Sequence, residues 1–160
     1  MAGARVLDLY AGSGALGIEA LSRGAASVVA VEQDRITART IADNASVCGL
    51  EASVSIEVAP VLVALSRLKG RQFELVFLDP PYGSGEIDPV LAALAKLDLV
   101  APGGWIVVEH GRRDVVATPL DLEVELERRY GDSLLTLLTR PHSVTTDIPP
   151  DQEAHAHASR

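Results

Sequence analysis

A short apolar run, Val6-Leu7-Asp8-Leu9-Tyr10, passes directly into Ala11-Gly12-Ser13-Gly14-Ala15-Leu16-Gly17. The run is too brief for an amphipathic helix and reads as a buried strand. Gly12, Gly14 and Gly17 keep the spacing G-x-G-x-x-G where that strand would turn into a helix. Glycines at such a turn let the backbone approach a ligand and let the helix lie close on the sheet. A strand followed by a crossover helix commits a chain to parallel strands.

The rest of the chain repeats the pattern. Strands are expected at Arg5–Tyr10, Ser27–Glu32, Val54–Val58, Glu74–Leu78 and Trp105–Glu109, the last after a turn at Pro102-Gly103-Gly104. Helices are expected at Ala15–Ser22, Asp34–Cys48, Val61–Lys69 and Ile87–Leu97. Asp34 caps the second, and Gly24, Gly49 and Gly70 stop the first three. The rhythm then changes. Leu122–Arg129 and Ser133–Thr139 flank Tyr130-Gly131-Asp132, a hairpin signal. Alternating β/α units that close with a hairpin predict an α/β fold on a mixed sheet.

The 160 residues fit one domain, expected over 1–140. From Pro141 the apolar content collapses, and 141–160 is expected to be a disordered tail. His155 and His157 lie in it without nearby partner ligands, so no metal site is expected. No apolar run reaches the roughly 18 residues of a membrane span, and the start is no signal peptide. The single cysteine, Cys48, can form no internal disulfide; it is expected to be a buried small apolar residue of a cytoplasmic protein.

Glu32 ends the second expected strand. A carboxylate there can accept both ribose hydroxyls of an adenosine, which suits NAD and S-adenosylmethionine alike. Asp8, just before the glycine turn, separates the two. It would repel a pyrophosphate, whereas it could hold the ammonium group of S-adenosylmethionine. The alternative is that Asp8 only caps the turn.

Phe77-Leu78-Asp79-Pro80-Pro81-Tyr82 follows the fourth expected strand. Ligands of such sheets bind beyond the carboxyl ends of the strands, so Asp79 belongs on the edge that carries the glycine loop. The prolines remove two donors and stiffen the turn. The Asp79 carboxylate and the Pro80 carbonyl remain as acceptors for the two hydrogens of an exocyclic amine, and Tyr82 can stack on a base. Methyl transfer to such an amine needs positioning more than a strong base. Asp-Pro-Pro also occurs in turns without chemistry; here it gains meaning from Asp8 and Glu32.

These residues resemble a known family. Leu7 to Ala25, Val31-Glu32, Phe77 to Tyr82, Val107-Val108-Glu109-His110 and Arg128 to Asp132 are similar to motifs of the bacterial 16S ribosomal RNA (guanine-N2)-methyltransferases of the RsmD type. The resemblance covers residues 3 to about 139. It implies a Rossmann-like class I S-adenosylmethionine-dependent methyltransferase fold, with a seven-stranded sheet. It further implies transfer to a guanine 2-amino group in small-subunit ribosomal RNA, in the subunit or an assembly intermediate. The catalytic candidates are then Asp79, Pro80, Pro81 and Tyr82. The cofactor candidates are Asp8, Tyr10, Gly12, Ser13, Gly14, Glu32, Gln33, Ala59 and Asp79. By the resemblance, Asp8, Gly12 and Gly14 would face the methionine part of the cofactor and Glu32 the ribose.

The chain departs from the family twice. The usual acidic residue after the third strand is absent from Glu57-Val58-Ala59-Pro60, which leaves backbone groups at Ala59 to meet the adenine. The chain also starts at the first strand, without the family's Arg- and Pro-rich leading segment, as a fragment would. The net charge is −8, of which Asp147, Asp151, Glu153 and Arg160 account for −2. Phosphate contacts need cations, so without that segment RNA binding and activity are expected to be weak. Arg112-Arg113 and Arg128-Arg129 are candidates to touch RNA, or else solvated surface. His110 would end the fifth strand near the ligand edge. A monomer is expected. The competing readings are a DNA adenine-N6 methyltransferase, a non-catalytic nucleotide-binding module and an NAD-dependent oxidoreductase.

Overall fold

The computed structural model describes residues 2–114 and 116–142. Strands β1 (Arg5–Leu9), β2 (Ser27–Glu32), β3 (Val54–Val58), β4 (Phe73–Leu78) and β5 (Val100–Gly111) alternate with helices α1 (Ala15–Ser22), α2 (Arg35–Val47), α3 (Val61–Arg67) and α4 (Ile87–Lys96). Strands β6 (Glu123–Tyr130) and β7 (Ser133–Thr139) close the chain. One seven-stranded sheet results, in the order β3-β2-β1-β4-β5-β7-β6. The first five strands run parallel, and β7 enters antiparallel between β5 and β6. The expected mixed sheet with a C-terminal hairpin is borne out.

Both faces of the sheet are apolar where helices cover them, which is why the central strands read as unbroken apolar runs. Leu7, Leu9, Val29 and Val31 face α3 and α4 in one cluster with Leu65, Leu91 and Leu94. Their alternates Val6, Val28 and Ala30 face α1 and α2, meeting Ala20, Leu21 and Ile41. On α2 the buried Ala38, Ile41 and Ala45 recur at helical spacing. The Asp34 carboxylate caps that helix by accepting from the Thr37 N–H at 2.8 Å.

The structure corrects several expectations. Strand β1 stops at Leu9, because Tyr10 takes a φ of 61° and swings the chain into the glycine loop. Helix α3 stops at Arg67, not Lys69. Pro102-Gly103-Gly104 is no turn. It lies inside β5, where the pairing with β4 slips between Phe73↔Val100 and Leu75↔Trp105. The slip is tolerated because Gly103 N donates to Arg140 O and Arg140 N to Gly104 O, at 2.7 and 3.0 Å. Cys48 is exposed, since it caps α2 where the chain already turns away at Gly49. A short 3₁₀ turn at Glu51–Ser53 has no counterpart in the sequence reading.

Strand β6 is exposed along its whole length, charged at Glu123, Glu125, Glu127, Arg128 and Arg129, and bulged between Val124 and Leu126. That is how a sheet edge avoids pairing with another chain. The expected tail, with His155 and His157, lies outside the described residues from 143 onward. No helix among the described residues is long and apolar enough to cross a membrane.

Candidate active site

The strand order reverses between β1 and β4: β1 connects outward to β2, while β4 connects to β5 on the other side. The loops leaving two such strands part and open a crevice at their carboxyl ends. A cavity of about 440 Å³ lies there, lined by Tyr10, Val31, Glu32, Gln33, Pro60, Val61, Asp79, Pro80, Pro81, Tyr82 and Glu86. This volume is in the range of small-molecule sites. Three carboxylates line it and no Lys or Arg does.

The glycines of the first loop have separate duties. Gly12 takes a φ of 54°, and a Cβ there would meet nothing within 4 Å, so open space lies beside the loop. Gly14, at a φ of 78°, lies so close to α2 that a Cβ would stand 2.8 Å from Ile41 Cγ2. Gly17 packs on β2, where a Cβ would stand 2.8 Å from Val28 Cγ1. Ser13 is fixed through its carbonyl, which accepts from Asn44 Nδ2 at 2.9 Å.

Glu32 is held by backbone. Its Oε2 accepts from Gly12 N at 3.1 Å and its Oε1 from Asp34 N at 2.9 Å. Each oxygen keeps a further acceptor position. Tyr10 brings the opposite need: its hydroxyl is buried and has no hydrogen-bond partner among the described residues. Burial, helped by the nearby Glu86 carboxylate, pushes its phenol well above the ordinary value.

Asp8 is 1% exposed and does not line the cavity. Its Oδ2 accepts from Gly17 N at 3.0 Å, which is the turn-capping arrangement. Burial pushes its carboxyl up to about 6, with the Gly17 hydrogen bond opposing and the Asp79 carboxylate adding. Ala59 is also buried and off the cavity wall; its N–H is spent on Glu32 O at 3.2 Å.

Asp79 stands at the mouth of β4. The residue is exposed, yet partial desolvation of its carboxyl and then the Glu109 carboxylate hold it above the usual carboxylate range. Tyr82 is exposed but anchored. Its hydroxyl donates to Glu109 Oε1 at 3.0 Å and lies 2.6 Å from Ser133 Oγ, which ties the loop to the ends of β5 and β7. His110 stays out of the site: it is buried, with Nε2 2.8 Å from Thr136 Oγ1. Among the described residues no group of three metal-ligating side chains occurs.

Of the sequence candidates, Tyr10, Glu32, Gln33 and Asp79 to Tyr82 meet on one cavity, whereas Asp8, Gly12, Ser13, Gly14 and Ala59 stand behind or beside it. The reading missed Val31, Pro60, Val61 and Glu86. The first three stand at or just beyond the carboxyl ends of β2 and β3, and that position was the available signal. Glu86 arrives by the return of the Gly83–Gly85 loop and had no local signal.

Comparison with known proteins shows the family and the fold. Residues 1–139 match the model of a family described as conserved hypothetical protein 95. The chain is 35% identical over 136 residues to "Putative rRNA methyltransferase YlbH" of Bacillus subtilis, an overlap of 84% of this chain and 68% of that protein. It is 34% identical over 106 residues to ribosomal RNA small subunit methyltransferase D of Escherichia coli K12, an overlap of 66% and 50%. The chain thus spans half the length of the second relative. The structure titled "Putative methyltransferase yhhF", from Escherichia coli, superposes with a TM-score of 0.82 at 28% identity, over 88% of this chain and 78% of that one. The seven-stranded architecture is that of the class I S-adenosylmethionine-dependent methyltransferases.

Proposed function

The chain belongs to the conserved hypothetical protein 95 family, whose RsmD-type motifs its sequence carries, and on that premise we propose that it methylates the exocyclic N2 amine of a guanine in 16S ribosomal RNA, with S-adenosylmethionine as methyl donor. One observation carries the reading: Glu32 and the Asp79–Tyr82 loop share one acidic cavity at the β1/β4 reversal.

The residues fit that donor. Glu32 retains an acceptor position on each oxygen for the two ribose hydroxyls. Gly12 leaves space beside the loop, and the Tyr10 hydroxyl is buried on the cavity wall near the Glu86 carboxylate. A wall with three carboxylates and no cation suits a positively charged ligand and opposes a pyrophosphate. This argues against a dinucleotide. When bound, S-adenosylmethionine supplies a methyl group on a cationic sulfur.

The chain's own part is positioning. The Asp79 carboxylate and the Pro80 carbonyl accept the two amine hydrogens and turn the nitrogen lone pair toward the methyl carbon. As the N–C bond forms and the S–C bond breaks, the amine nitrogen becomes cationic. Asp79, next to it, stabilises that charge and takes the proton or passes it to water. Tyr82 holds the base plane. The name of the Escherichia coli relative supports ribosomal RNA of the small subunit, free or during assembly, as the partner.

Two measurements test this. Calorimetry should find binding of S-adenosylhomocysteine and none of NADH; binding of NADH alone would sink the reading. Labelled methyl should then reach small ribosomal subunits from a strain that lacks the modification. Transfer to DNA adenine instead would move the assignment to the adenine-N6 class.

A further inference from the structure

A second cavity, of about 600 Å³, lies beyond Tyr82, between Tyr82-Gly83, the turn Gly111–Asp114 and Asp132 of the β6–β7 hairpin. Tyr82 is the wall common to both cavities. The wall is fixed, because its hydroxyl is held by Glu109 and Ser133. The floor is fixed as well: Asp114 Oδ2 accepts from Gly111 N at 2.9 Å and Gly83 N at 3.4 Å, joining the turn to the Asp79–Tyr82 loop. The Asp114 carboxylate is therefore committed to backbone donors.

Arg112 and Arg113 also line this cavity, and both are exposed. Among the described residues neither forms an ion pair. Arg5, Arg23, Arg67 and Arg140 each pair with a carboxylate, and Arg129 donates to Gly131 O at 2.8 Å. Arg35, Arg39, Arg71 and Arg128 form no ion pair among the described residues either; what sets Arg112 and Arg113 apart is that, in a chain of net charge −8, two adjacent guanidinium groups line the cavity beside the Asp79–Tyr82 loop. Guanidinium forks match phosphate oxygens. Asp132 lines the cavity from the hairpin side.

We propose that Arg112 and Arg113 hold the phosphodiester next to the target nucleotide, so that the RNA strand passes through the second cavity and its target base turns past Tyr82 toward Asp79. The inference rests on the methyl-transfer reading and names which part of the RNA this edge recognises.

The test compares R112Q/R113Q with R128Q/R129Q, a second arginine pair on exposed β6, in the intact chain. Binding of a short fluorescein-labelled single-stranded RNA is followed by anisotropy over a salt series that starts at low ionic strength. S-adenosylhomocysteine affinity and methyl transfer to small subunits are measured on the same samples. In R112Q/R113Q the RNA Kd should rise about tenfold or more, and the salt slope should flatten by about 0.7, the value for one phosphate contact on a single strand. KM for the subunit should rise with kcat spared, and S-adenosylhomocysteine should bind as before. R128Q/R129Q should stay within about twofold of the parent. An unchanged Kd and slope in R112Q/R113Q, an equal loss in R128Q/R129Q, or a parent chain that binds no RNA would overturn the inference. If RNA affinity falls as expected while the parent transfers methyl to no nucleic acid, the phosphate site stands and the methyl-transfer reading fails.

Discussion

Glu32 and Tyr82 face the same cavity and are held in unlike ways. The Glu32 carboxylate rests on two backbone N–H groups, at Gly12 and Asp34, both in loops that leave adjacent strands. Tyr82 is anchored by side chains, Glu109 and Ser133, that lie 27 and 51 residues further on. The half proposed to hold the cofactor is thus built from backbone turns, which the fold sets before any ligand arrives. The half proposed to hold the target depends on β5 and the hairpin being in register. Substitutions on the first half should report on cofactor affinity and stability; those on the second should report on turnover.

The largest effect is expected at Asp79. D79A should lower methyl transfer by about a hundredfold to a thousandfold, the range seen when a positioned charge-stabilising group is removed. S-adenosylhomocysteine affinity should change little. An equal loss of both would place Asp79 in the cofactor half and break the comparison. On the proposed mechanism the ionised Asp79 is the acceptor, and its carboxyl is raised by partial desolvation and by Glu109. Turnover should therefore fall as pH drops through that raised value, and E109Q, which removes the like charge, should move the midpoint of the pH–rate profile to lower pH.

Next in size are the glycines. G14A puts a methyl group 2.8 Å from Ile41 at a positive φ, and should destabilise the chain by roughly 1–3 kcal/mol in denaturant unfolding. G12A meets no neighbour and pays only the roughly 1–2 kcal/mol of the left-handed conformation. It should instead weaken S-adenosylhomocysteine binding, by intruding on the open space beside the loop.

Asp8 gives a pH signature behind the cofactor half. In the folded chain its carboxyl titrates at about 6; in the unfolded chain it does so near 4. Between those values the native state binds more protons, so this group's stability is complete below about pH 4 and is lost as pH rises through about 6. The change is on the order of 2–3 kcal/mol. D8N, which retains an acceptor for Gly17 N, should flatten the pH dependence of unfolding across that window. The smallest effect is expected from Y82F, which loses both hydroxyl contacts but keeps the ring, and should lower kcat a few-fold with the same cofactor affinity.

The same contrast explains what the sequence could reveal. The parallel strands, the glycine turn, the α2 cap at Asp34 and the hairpin at Gly131 are short-range signals, and each was legible. Tyr10, Glu32 and Asp79 could be brought together because the strand-end rule needs only the order of elements. Asp8 was read toward the cofactor, yet its carboxylate is on Gly17 N, since the rotamer of a buried side chain depends on helix packing that the sequence does not spell out. The Tyr82–Glu109–Ser133 tie and the bulge inside β5 come from pairing across the sheet. Nothing local announces them.

The central claim is most directly tested by the nucleoside that the chain modifies. Small ribosomal subunits lacking the modification would be incubated with S-adenosylmethionine and either the parent chain or D79A, and their RNA digested for mass spectrometry. N2-methylguanosine formed by the parent and nearly absent with D79A is the expected result. A methylated adenosine, another methylated guanosine isomer, or equal product from both proteins would contradict it.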